Sequence, residues 1–336
     1  MEQSPIEGAT TELVKRDGIV QRTRSGIICC GNIVYDTLVK PVDELHWGRG
    51  TTFVDSIEYR AGGNGANTSR ALTILGMPVR LLGAVGSDDA GRFVMGVLRE
   101  SGVDTSHVAE LAAPTAATVA LVNSAGERKF FHRPGASCEA FAEPIDFTPE
   151  LCEGMSHFHL ASLFVLPRLR ARGPEMLIRA REAALTTSFD TNWDPQEGWM
   201  ATLEPCLPYV DILFMNEDEA YMMTGCSDPA AAASTVIAKG LRTAVMKLGG
   251  RGCAIYDDEQ EIVCAAFDVA AKDTTGAGDC FVAGFLAARQ RGASLAEAGQ
   301  FANAVAAMSV QKIGAVEGVL PLAETEAWMH STPVRG

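Results

Sequence analysis

The sequence predicts an α/β fold in which a central, mostly parallel sheet is flanked by helices on both faces. Short apolar runs typical of buried strands alternate with helical patterns along most of the chain. Two stretches, 51–59 and 117–132, instead show period-two patterning without intervening helices. The chain has 336 residues, 47% of them hydrophobic and 21% charged, which allows one large domain with an appendage.

The predicted elements follow one another as strands and helices. They are a strand at 26–31, a helix at 67–75, a strand at 79–82, helices at 93–101 and 171–185, strands at 188–190 and 210–215, a helix at 217–224, a strand at 245–248 and a helix at 278–291. The first two helices stop at Gly76 and Gly102, because glycine readily adopts the left-handed turn that ends a helix. The segment Asn-Ser-Ala-Gly at 123–126 predicts a hairpin turn, so the two period-two stretches are expected to form a small antiparallel sheet.

Composition excludes several classes of function. The formal net charge is −14 and no basic stripe is present, which disfavours nucleic-acid binding. No apolar run reaches the length of about 18 residues that a membrane span needs. Residues 1–25 are polar and lack the apolar core of a secretory signal, and the nine cysteines are scattered without a Cys-x-x-Cys pair. We therefore expect a cytoplasmic protein with reduced cysteines.

The segment Asp273-Thr-Thr-Gly-Ala-Gly-Asp279 carries the strongest chemical signal, because an apolar helix follows it at once. Amides at such a helix start are left without partners and form a natural anion site. A carboxylate repels phosphate, so Asp279 beside this site makes sense as a base that accepts a proton from a hydroxyl group. The alternative is that Asp279 only caps the helix. A carboxylate at a helix N-terminus is expected to have its ionised form favoured, and hence to be a weak base.

A second glycine-rich segment, Ala61-Gly-Gly-Asn-Gly-Ala-Asn67, opens another predicted helix. Its glycines allow a ligand to approach the backbone closely. It matches the dinucleotide pattern Gly-x-Gly-x-x-Gly only in part, because Thr68 replaces the third glycine and the strand at 79–82 is not followed by an acidic residue. The chain also lacks the Gly-x-x-x-x-Gly-Lys-[Ser/Thr] pattern of P-loop kinases.

Together, residues 61–76 and 273–288 resemble the two signature segments of the ribokinase-like carbohydrate kinase family, also called the PfkB family. The resemblance runs from about Gly26 to about Pro321. It implies a ribokinase-like fold with a β lid over the sugar, and often a homodimer paired through that lid. On this basis the main domain is expected at 26–39, 61–115 and 134–330, the lid at 40–60 and 116–133, and a polar extension at 1–25.

The resemblance implies an ATP-dependent sugar kinase with Asp279 as general base. The amides of Gly276, Ala277 and Gly278 would form the anion hole. Residues implied in binding the sugar are Asp36, Gly62, Gly63 and Asn67. Arg133, on the lid, could reach a carboxylate or phosphate of the substrate, although a solvated edge-strand charge explains it equally well.

The resemblance also implies sites for the nucleotide and for metal ions. Asn216 and Glu219 match an Asn-x-x-Glu element that influences Mg²⁺ and phosphate binding. Lys247, Gly249 and Gly252 resemble the turn under ATP, and Asn303 the residue beside adenine. A loop for a monovalent cation such as K⁺ is suggested by Asp273, Thr275, Ser309, Lys312 and Gly314.

Several functions stay open at this point. Val34 stands where ribokinases tend to carry asparagine, which weakens the case for ribose, and 190–194 looks closer to fructokinases. A nucleoside kinase shares both motifs, and Phe53, Tyr59, Phe130 and Phe131 could supply its apolar slot. A non-catalytic sugar sensor is a third possibility, which retention of Asp279 argues against. The sequence fixes neither the sugar nor the hydroxyl that is phosphorylated.

Overall fold

A computed structural model describes residues 15–16, 19–20, 24–45, 47–48 and 50–335. Most of the expected extension at 1–25 lies outside these residues. The parts of it that are described include two short strands, Lys15–Arg16 and Ile19–Val20, which pair in an antiparallel manner.

The described residues form fifteen strands and eleven α-helices. The strands are β1 Lys15–Arg16, β2 Ile19–Val20, β3 Gly26–Cys30, β4 Val34–Lys40, β5 Ser56–Gly62, β6 Val79–Gly86, β7 Val108–Leu111, β8 Ala116–Val122, β9 Arg128–Arg133, β10 Met155–Leu160, β11 Thr186–Asp190, β12 Ile212–Asn216, β13 Thr243–Lys247, β14 Cys253–Tyr256 and β15 Glu261–Cys264. The helices are α1 Asn64–Ile74, α2 Asp89–Glu100, α3 Pro149–Cys152, α4 Pro167–Arg170, α5 Gly173–Glu182, α6 Trp199–Leu203, α7 Glu217–Thr224, α8 Pro229–Ile237, α9 Ala277–Gln290, α10 Leu295–Ser309 and α11 Leu322–Ser331.

The main sheet confirms the predicted α/β architecture. In the described part of the chain its nine strands lie in the order β15-β14-β13-β12-β11-β10-β3-β6-β7. The seven strands from β13 to β7 run parallel, and the hairpin strand β14 is antiparallel both to β13 and to β15. Parallel strands end at the same edge of a sheet, so residues after β11, β12 and β13 are brought close together.

Helices cover both faces of this sheet because its strands are apolar on both sides. Along β3, Ile27 and Cys29 pack into a core with residues of α1, α9 and α10. Ile28 and Cys30 point to the opposite face and pack into a core with residues of α5, α7 and α8. Among the described residues no helix is both long and apolar enough to cross a membrane.

The predicted elements are present, with shifted ends. Helix α7 has the predicted bounds, whereas α1 begins at Asn64, three residues before the predicted start. The apolar pattern that gave the start at 67 does not detect the first turn of α1, which is polar and glycine-rich. Strands β1, β2, β4, β7, β14 and β15 and helices α3, α4, α6, α8, α10 and α11 were not predicted, and Asp36 lies within β4.

The small sheet has the order β5-β4-β8-β9 and differs from the expected lid in two ways. It includes β4, so the stretch 34–39, expected in the main domain, belongs to it. It is also mixed, because β4 and β8 run parallel while the other pairs are antiparallel. Between β4 and β8 the chain returns through the main body, so both strands leave that body in the same direction. The predicted turn at 123–126 joins β8 to β9, with the Gly126 amide donating to the Asn123 carbonyl at 2.9 Å.

Candidate active site

A cavity of about 340 Å³ lies between the small sheet and the start of helix α9. This volume is in the range of small-molecule sites. Its lining brings together residues from both glycine-rich segments and from β4. The predicted site residues that line it are Asp36, Gly63, Asn67, Asp273, Thr275, Gly276, Asp279 and Gly314.

A second cavity, of about 310 Å³, lies on the other side of the same helix start. Gly276 and Asp279 line the first cavity, whereas Ala277 and Gly278 line the second. The predicted nucleotide residues Lys247, Gly249, Gly252 and Asn303 also line the second cavity. The start of α9 therefore stands between two pockets of similar size.

The backbone at this point is built to expose amides. Gly276 is the N-cap of α9 and has a φ of 69°, the left-handed conformation that glycine adopts without strain. The Ala277 amide donates to the Thr274 carbonyl at 3.3 Å, so it is not fully free as predicted. The Gly278 amide is one of those that helix geometry leaves without an intrahelical partner. An anion held here also gains from the helix dipole.

Asp279 is the third residue of α9, so the alternative in which it is the N-cap is wrong. Its side chain is buried, and each carboxylate oxygen accepts one amide hydrogen bond. Asn64 Nδ2 donates to Oδ1 at 2.8 Å, and Asn67 Nδ2 donates to Oδ2 at 2.9 Å. Both asparagines lie on α1, which packs against α9. The two bonds fix the plane of the carboxylate at the wall of the first cavity.

Asn64 was missed by sequence reasoning, although a signal for it exists. Asn64 and Asn67 are three residues apart, the spacing that places side chains on one face of a helix. Asn64 is itself positioned, since its Oδ1 accepts a hydrogen bond from Asn192 Nδ2 at 3.1 Å and its backbone amide donates to Asn32 Oδ1 at 2.8 Å.

The pKa of Asp279 is raised, which corrects the expectation of a weak base. Burial of the carboxylate is the largest cause, and the charge of Glu219 adds to it. The hydrogen bonds from Asn67 and Asn64 and the charge of Lys247 lower the pKa but do not cancel the effect of burial. The helix terminus favours the ionised form, but desolvation of the buried carboxylate is the stronger effect here.

Asp36 faces the first cavity from β4. Burial raises its pKa to about 6, against the opposing effects of a hydrogen bond with Thr118 and the charge of Arg60. Gly62 lies close by on β5: a Cβ there would be 1.8 Å from Asp36 Oδ2. Gly62 does not line the cavity, so its predicted role in the sugar site is indirect: it leaves room for the Asp36 carboxylate.

We expect Gly62→Ala to weaken binding of the predicted sugar substrate while leaving the fold intact. The new methyl group displaces the Asp36 carboxylate, which costs hydrogen bonds to a charged group worth about 1.5–3 kcal/mol, or roughly 10- to 100-fold in kcat/KM. Steady-state kinetics and thermal unfolding measure the two effects. Gly96→Ala is the matched control, because a Cβ at Gly96 in α2 meets nothing within 4 Å. Equal kinetics for the two variants would contradict the role of Gly62.

Arg133, predicted to reach the substrate, points away from the cavity. Side chains alternate along β9, and the cavity is lined by Arg128, Phe130 and His132. Arg133 lies on the opposite face of the strand, and its guanidinium donates to the Thr115 carbonyl at 3.0 Å. The period-two pattern expected at 117–132 does not continue through β9. The sequence Arg-Lys-Phe-Phe-His-Arg has no apolar alternation, so it does not show which face of the strand is covered.

Asn216 and Glu219 form a capping box at the start of α7 rather than lining either cavity. The Glu219 amide donates to Asn216 Oδ1 at 2.8 Å, and the Asn216 amide donates to Glu219 Oε2 at 2.8 Å. Thr191 Oγ1 donates to the same Oε2 at 2.8 Å. Asn303 lines the second cavity, but its Nδ2 already donates to the Cys264 carbonyl at 2.9 Å.

Lys247 carries a positive charge to the second cavity. Its ammonium donates to Asp190 Oδ1 at 2.6 Å, and both side chains are largely buried. Burial alone would lower the pKa of Lys247, but the charges of Asp190 and Glu219 outweigh it and raise the pKa. The ammonium lies 3.5 Å from the point where a Cβ on Gly278 would be, beside the amides at the start of α9.

The residues expected to hold a monovalent cation are only partly brought together. Asp273 Oδ2 accepts from the Gly314 amide at 3.0 Å, and Oδ1 accepts from the Thr275 amide at 2.9 Å. Ser309 instead donates within its own helix, to the Ala306 carbonyl at 2.8 Å, and Lys312 is exposed. Neither of them lines the first cavity.

Known proteins resemble this chain over most of its length. The family model described as pfkB family carbohydrate kinase matches residues 25–322. Aminoimidazole riboside kinase of Salmonella typhimurium is 31% identical over 268 residues, covering 76% of this chain and 83% of the relative. Fructokinase-1 of Oryza sativa subsp. japonica is 27% identical over 288 residues, covering 80% and 88%. The solved structure of Arabidopsis thaliana ribokinase with ribose and ATP has a TM-score of 0.81 at 24% identity, covering 90% and 98%.

The family match and the named relatives define the chain as a phosphotransferase that acts on an alcohol group. The chain belongs to the pfkB family of carbohydrate kinases. The two glycine-rich segments that carried the resemblance are the segments that meet in the structure, through Asn64 and Asn67 on one side and Asp279 on the other.

Proposed function

We propose that this protein transfers the γ-phosphoryl group of ATP to a hydroxymethyl group of a small, uncharged carbohydrate. The observation that carries the proposal is the position of Asp279, which is held by two amides on the wall between the two cavities. A base must be within hydrogen-bond reach of the hydroxyl group that it deprotonates. In-line transfer also needs the attacking and leaving oxygens on opposite sides of the phosphoryl group. A helix start between two pockets supports both requirements.

In this proposal the acceptor occupies the cavity under the small sheet and ATP occupies the other. Asp279 accepts the proton of the attacking hydroxyl group, and Asp36 accepts hydrogen bonds from other hydroxyl groups of the sugar. The amides of Gly276, Ala277 and Gly278 stabilise the charge of the phosphoryl group during transfer. The Lys247 ammonium adds a fixed positive charge beside them. The small sheet covers the acceptor and limits wasteful hydrolysis of ATP.

Mg²⁺ would supply charge neutralisation of the β- and γ-phosphates. Glu219 suits an outer position around such an ion, because its hydrogen bonds to Thr191 and to the Asn216 amide both use Oε2 and leave Oε1 to accept from a water molecule on the metal. Mg²⁺ usually keeps several waters when it binds with phosphates, which favours this indirect role. Asn216 holds Glu219 in place through the capping box.

The charges around the acceptor cavity favour a neutral sugar over a sugar acid or phosphate. Among the described residues, its lining includes four carboxylates and two arginines: Asp36, Asp273, Asp279, Glu317, Arg60 and Arg128. Both arginines are already paired with carboxylates, Arg60 with Glu58 and Arg128 with Asp273. An anionic acceptor would therefore meet an excess of negative charge in this cavity.

A nucleoside is the second candidate acceptor. Six apolar side chains of the small sheet line the same cavity: Val34, Leu38, Ala61, Ala120, Val122 and Phe130. They offer a surface on which a planar base could pack. The Salmonella relative at 31% identity is named as a kinase of a riboside, which has a base on its sugar.

An ADP-release screen over pentoses, hexoses, sugar acids, sugar phosphates and nucleosides tests the proposal. We expect an uncharged sugar to give the highest kcat/KM. A nucleoside in first place would favour the second candidate, and a sugar phosphate or sugar acid in first place would contradict the charge argument. Sugar binding in calorimetry without ADP release from any compound would indicate a sensor. Asp279→Asn protein at equal concentration is the control for contaminating kinases.

We also propose that two copies pair through the outer face of the small sheet, as the family resemblance implied. Tyr59, Val119 and Phe131 lie on this face with Ile57 and are exposed, although all four are large and apolar. Val119 is paired with Phe131 across β8 and β9. Exposed apolar patches of this kind mark interaction sites.

We expect Val119→Glu to convert a dimer to a monomer in sedimentation measurements. A buried charge without a partner is costly at the centre of an apolar interface. Val263→Glu is the matched control, because Val263 is exposed on β15, in the other sheet. A monomeric wild-type protein, or a dimer that Val119→Glu leaves intact, would contradict the proposed interface.

The cytoplasm remains our proposal for the location. All nine cysteines lie in the described part of the chain and are free thiols, and those at 29, 30, 152, 206, 253, 264 and 280 are buried. Free thiols persist in a reducing compartment.

A further inference from the structure

Arg128 forms an ion pair with Asp273, the carboxylate that the family resemblance assigns to a monovalent cation. Its Nη2 donates to Asp273 Oδ1 at 2.7 Å, and its Nη1 donates to Thr275 Oγ1. Asp273 also accepts from the amides of Thr275 and Gly314. Its two oxygens therefore already have three donors, one of which carries a full positive charge. These residues do not fit a potassium site while Arg128 is in place.

The charge balance around Asp273 also argues against a bound monovalent cation. The side chain of Asp273 is only 2% exposed, and a buried carboxylate needs a compensating positive charge. A guanidinium group supplies it permanently, because arginine does not lose its proton in proteins. Burial alone would raise the pKa of Asp273, but hydrogen bonds from Thr275, Arg128 and Gly314 hold that pKa well below its usual range. A cation added beside Arg128 would be repelled by it.

Arg128 also connects two parts of the site that are distant in the sequence. It is the first residue of β9 and lines the acceptor cavity from the small sheet. Asp273 and Thr275 belong to the loop that leads into the start of α9. The contact therefore links the loop that leads into α9 to the small sheet that covers the acceptor.

We propose that Arg128 is a built-in substitute for the monovalent cation, so that this kinase works without potassium. The guanidinium neutralises Asp273 and holds Thr275, and thereby keeps the Gly276–Gly278 amides in position for the phosphoryl group. This makes Arg128 a positioning residue. The inference rests on the kinase activity proposed above, but not on which acceptor is used.

The test compares K⁺ with tetramethylammonium, which is too large for such a loop, as chloride salts at equal ionic strength. Wild-type protein is expected to show the same kcat within about twofold in both salts, and the same midpoint of thermal unfolding. In tetramethylammonium, the kcat of Arg128→Met is expected to be lower than that of the wild type by roughly tenfold or more, because a charge-assisted hydrogen bond contributes about that factor. In K⁺ the variant is expected to regain activity. K⁺ should also raise the unfolding midpoint of Arg128→Met alone.

Two further variants make the test decisive. Lys129→Met removes a charge from the adjacent, exposed position of β9 and should behave as the wild type does. Arg128→Lys keeps a cation and should stay independent of potassium, which covers the case in which Arg128→Met does not fold. Activation of the wild type by K⁺, or an Arg128→Met protein that folds and responds to K⁺ in neither measurement, would overturn the proposal. The unfolding measurements need no acceptor, so they remain valid if the function screen fails.

Discussion

Asp279→Asn is expected to lower kcat by about 10²- to 10⁴-fold, the usual contribution of a general base. The substitution keeps the size of the side chain but removes the group that accepts the hydroxyl proton. ATP affinity should change little, because the second cavity is lined by Ala277 and Gly278 rather than by Asp279. Single-turnover kinetics and calorimetric titration with ATP measure the two effects separately.

The fold of this variant has to be verified, since the introduced side chain would present an amide group to the donors Asn64 and Asn67 in place of a carboxylate oxygen. Thermal unfolding serves this purpose, and Asp89→Asn is the matched control, because the Asp89 side chain is 98% exposed at the start of α2. A folded Asp279→Asn protein with wild-type kcat would show that the proton goes elsewhere.

The raised pKa of Asp279 adds a pH dependence to this expectation. The base works in its ionised form, which is lost as the pH falls through its pKa. Burial raises that pKa, so kcat should begin to fall at a higher pH than the usual pKa range of an aspartate would give. The acid limb should be absent from the residual rate of Asp279→Asn. A limb that persists in the variant would belong to another group.

The sequence predicted the parts of the site that depend on local signals. Glycines followed by an apolar helix located the start of α9, and strand–helix alternation located the parallel sheet that supports it. The prediction succeeded there because a tight turn, an exposed amide and a helix start are all properties of a few consecutive residues.

The parts that were missed depend on register and on packing between distant elements. Arg133 lies on the face of β9 opposite to Arg128, Phe130 and His132, and the polar sequence of this strand gives no sign of its covered face. The donor Asn64 becomes visible only once α1 is known to pack on α9. Ser309 was placed in the cation loop by resemblance, but its hydroxyl group has a nearer acceptor in its own helix.

The Asp190–Lys247 pair illustrates the same limit and leads to a second large effect. The two residues are 57 positions apart and end β11 and β13, which flank β12 in the sheet. Only the strand order brings them together, and the local sequence around either residue does not predict that order. Once paired, the ammonium is surrounded by the carboxylates of Asp190 and Glu219 in a buried position.

Lys247→Met is therefore expected to lower the free energy of unfolding by about 3–5 kcal/mol, because it leaves buried carboxylates without their positive partner. Urea denaturation measures this loss.

Adding Asp190→Asn removes one of the uncompensated charges and should restore part of the stability, a coupling that a double-mutant cycle resolves. Turnover should not recover with it, since the positive charge beside Gly278 is still missing. A single variant within about 0.5 kcal/mol of the wild type would contradict the charge argument. A double variant no more stable than Lys247→Met would instead assign the loss to packing of the lysine stem.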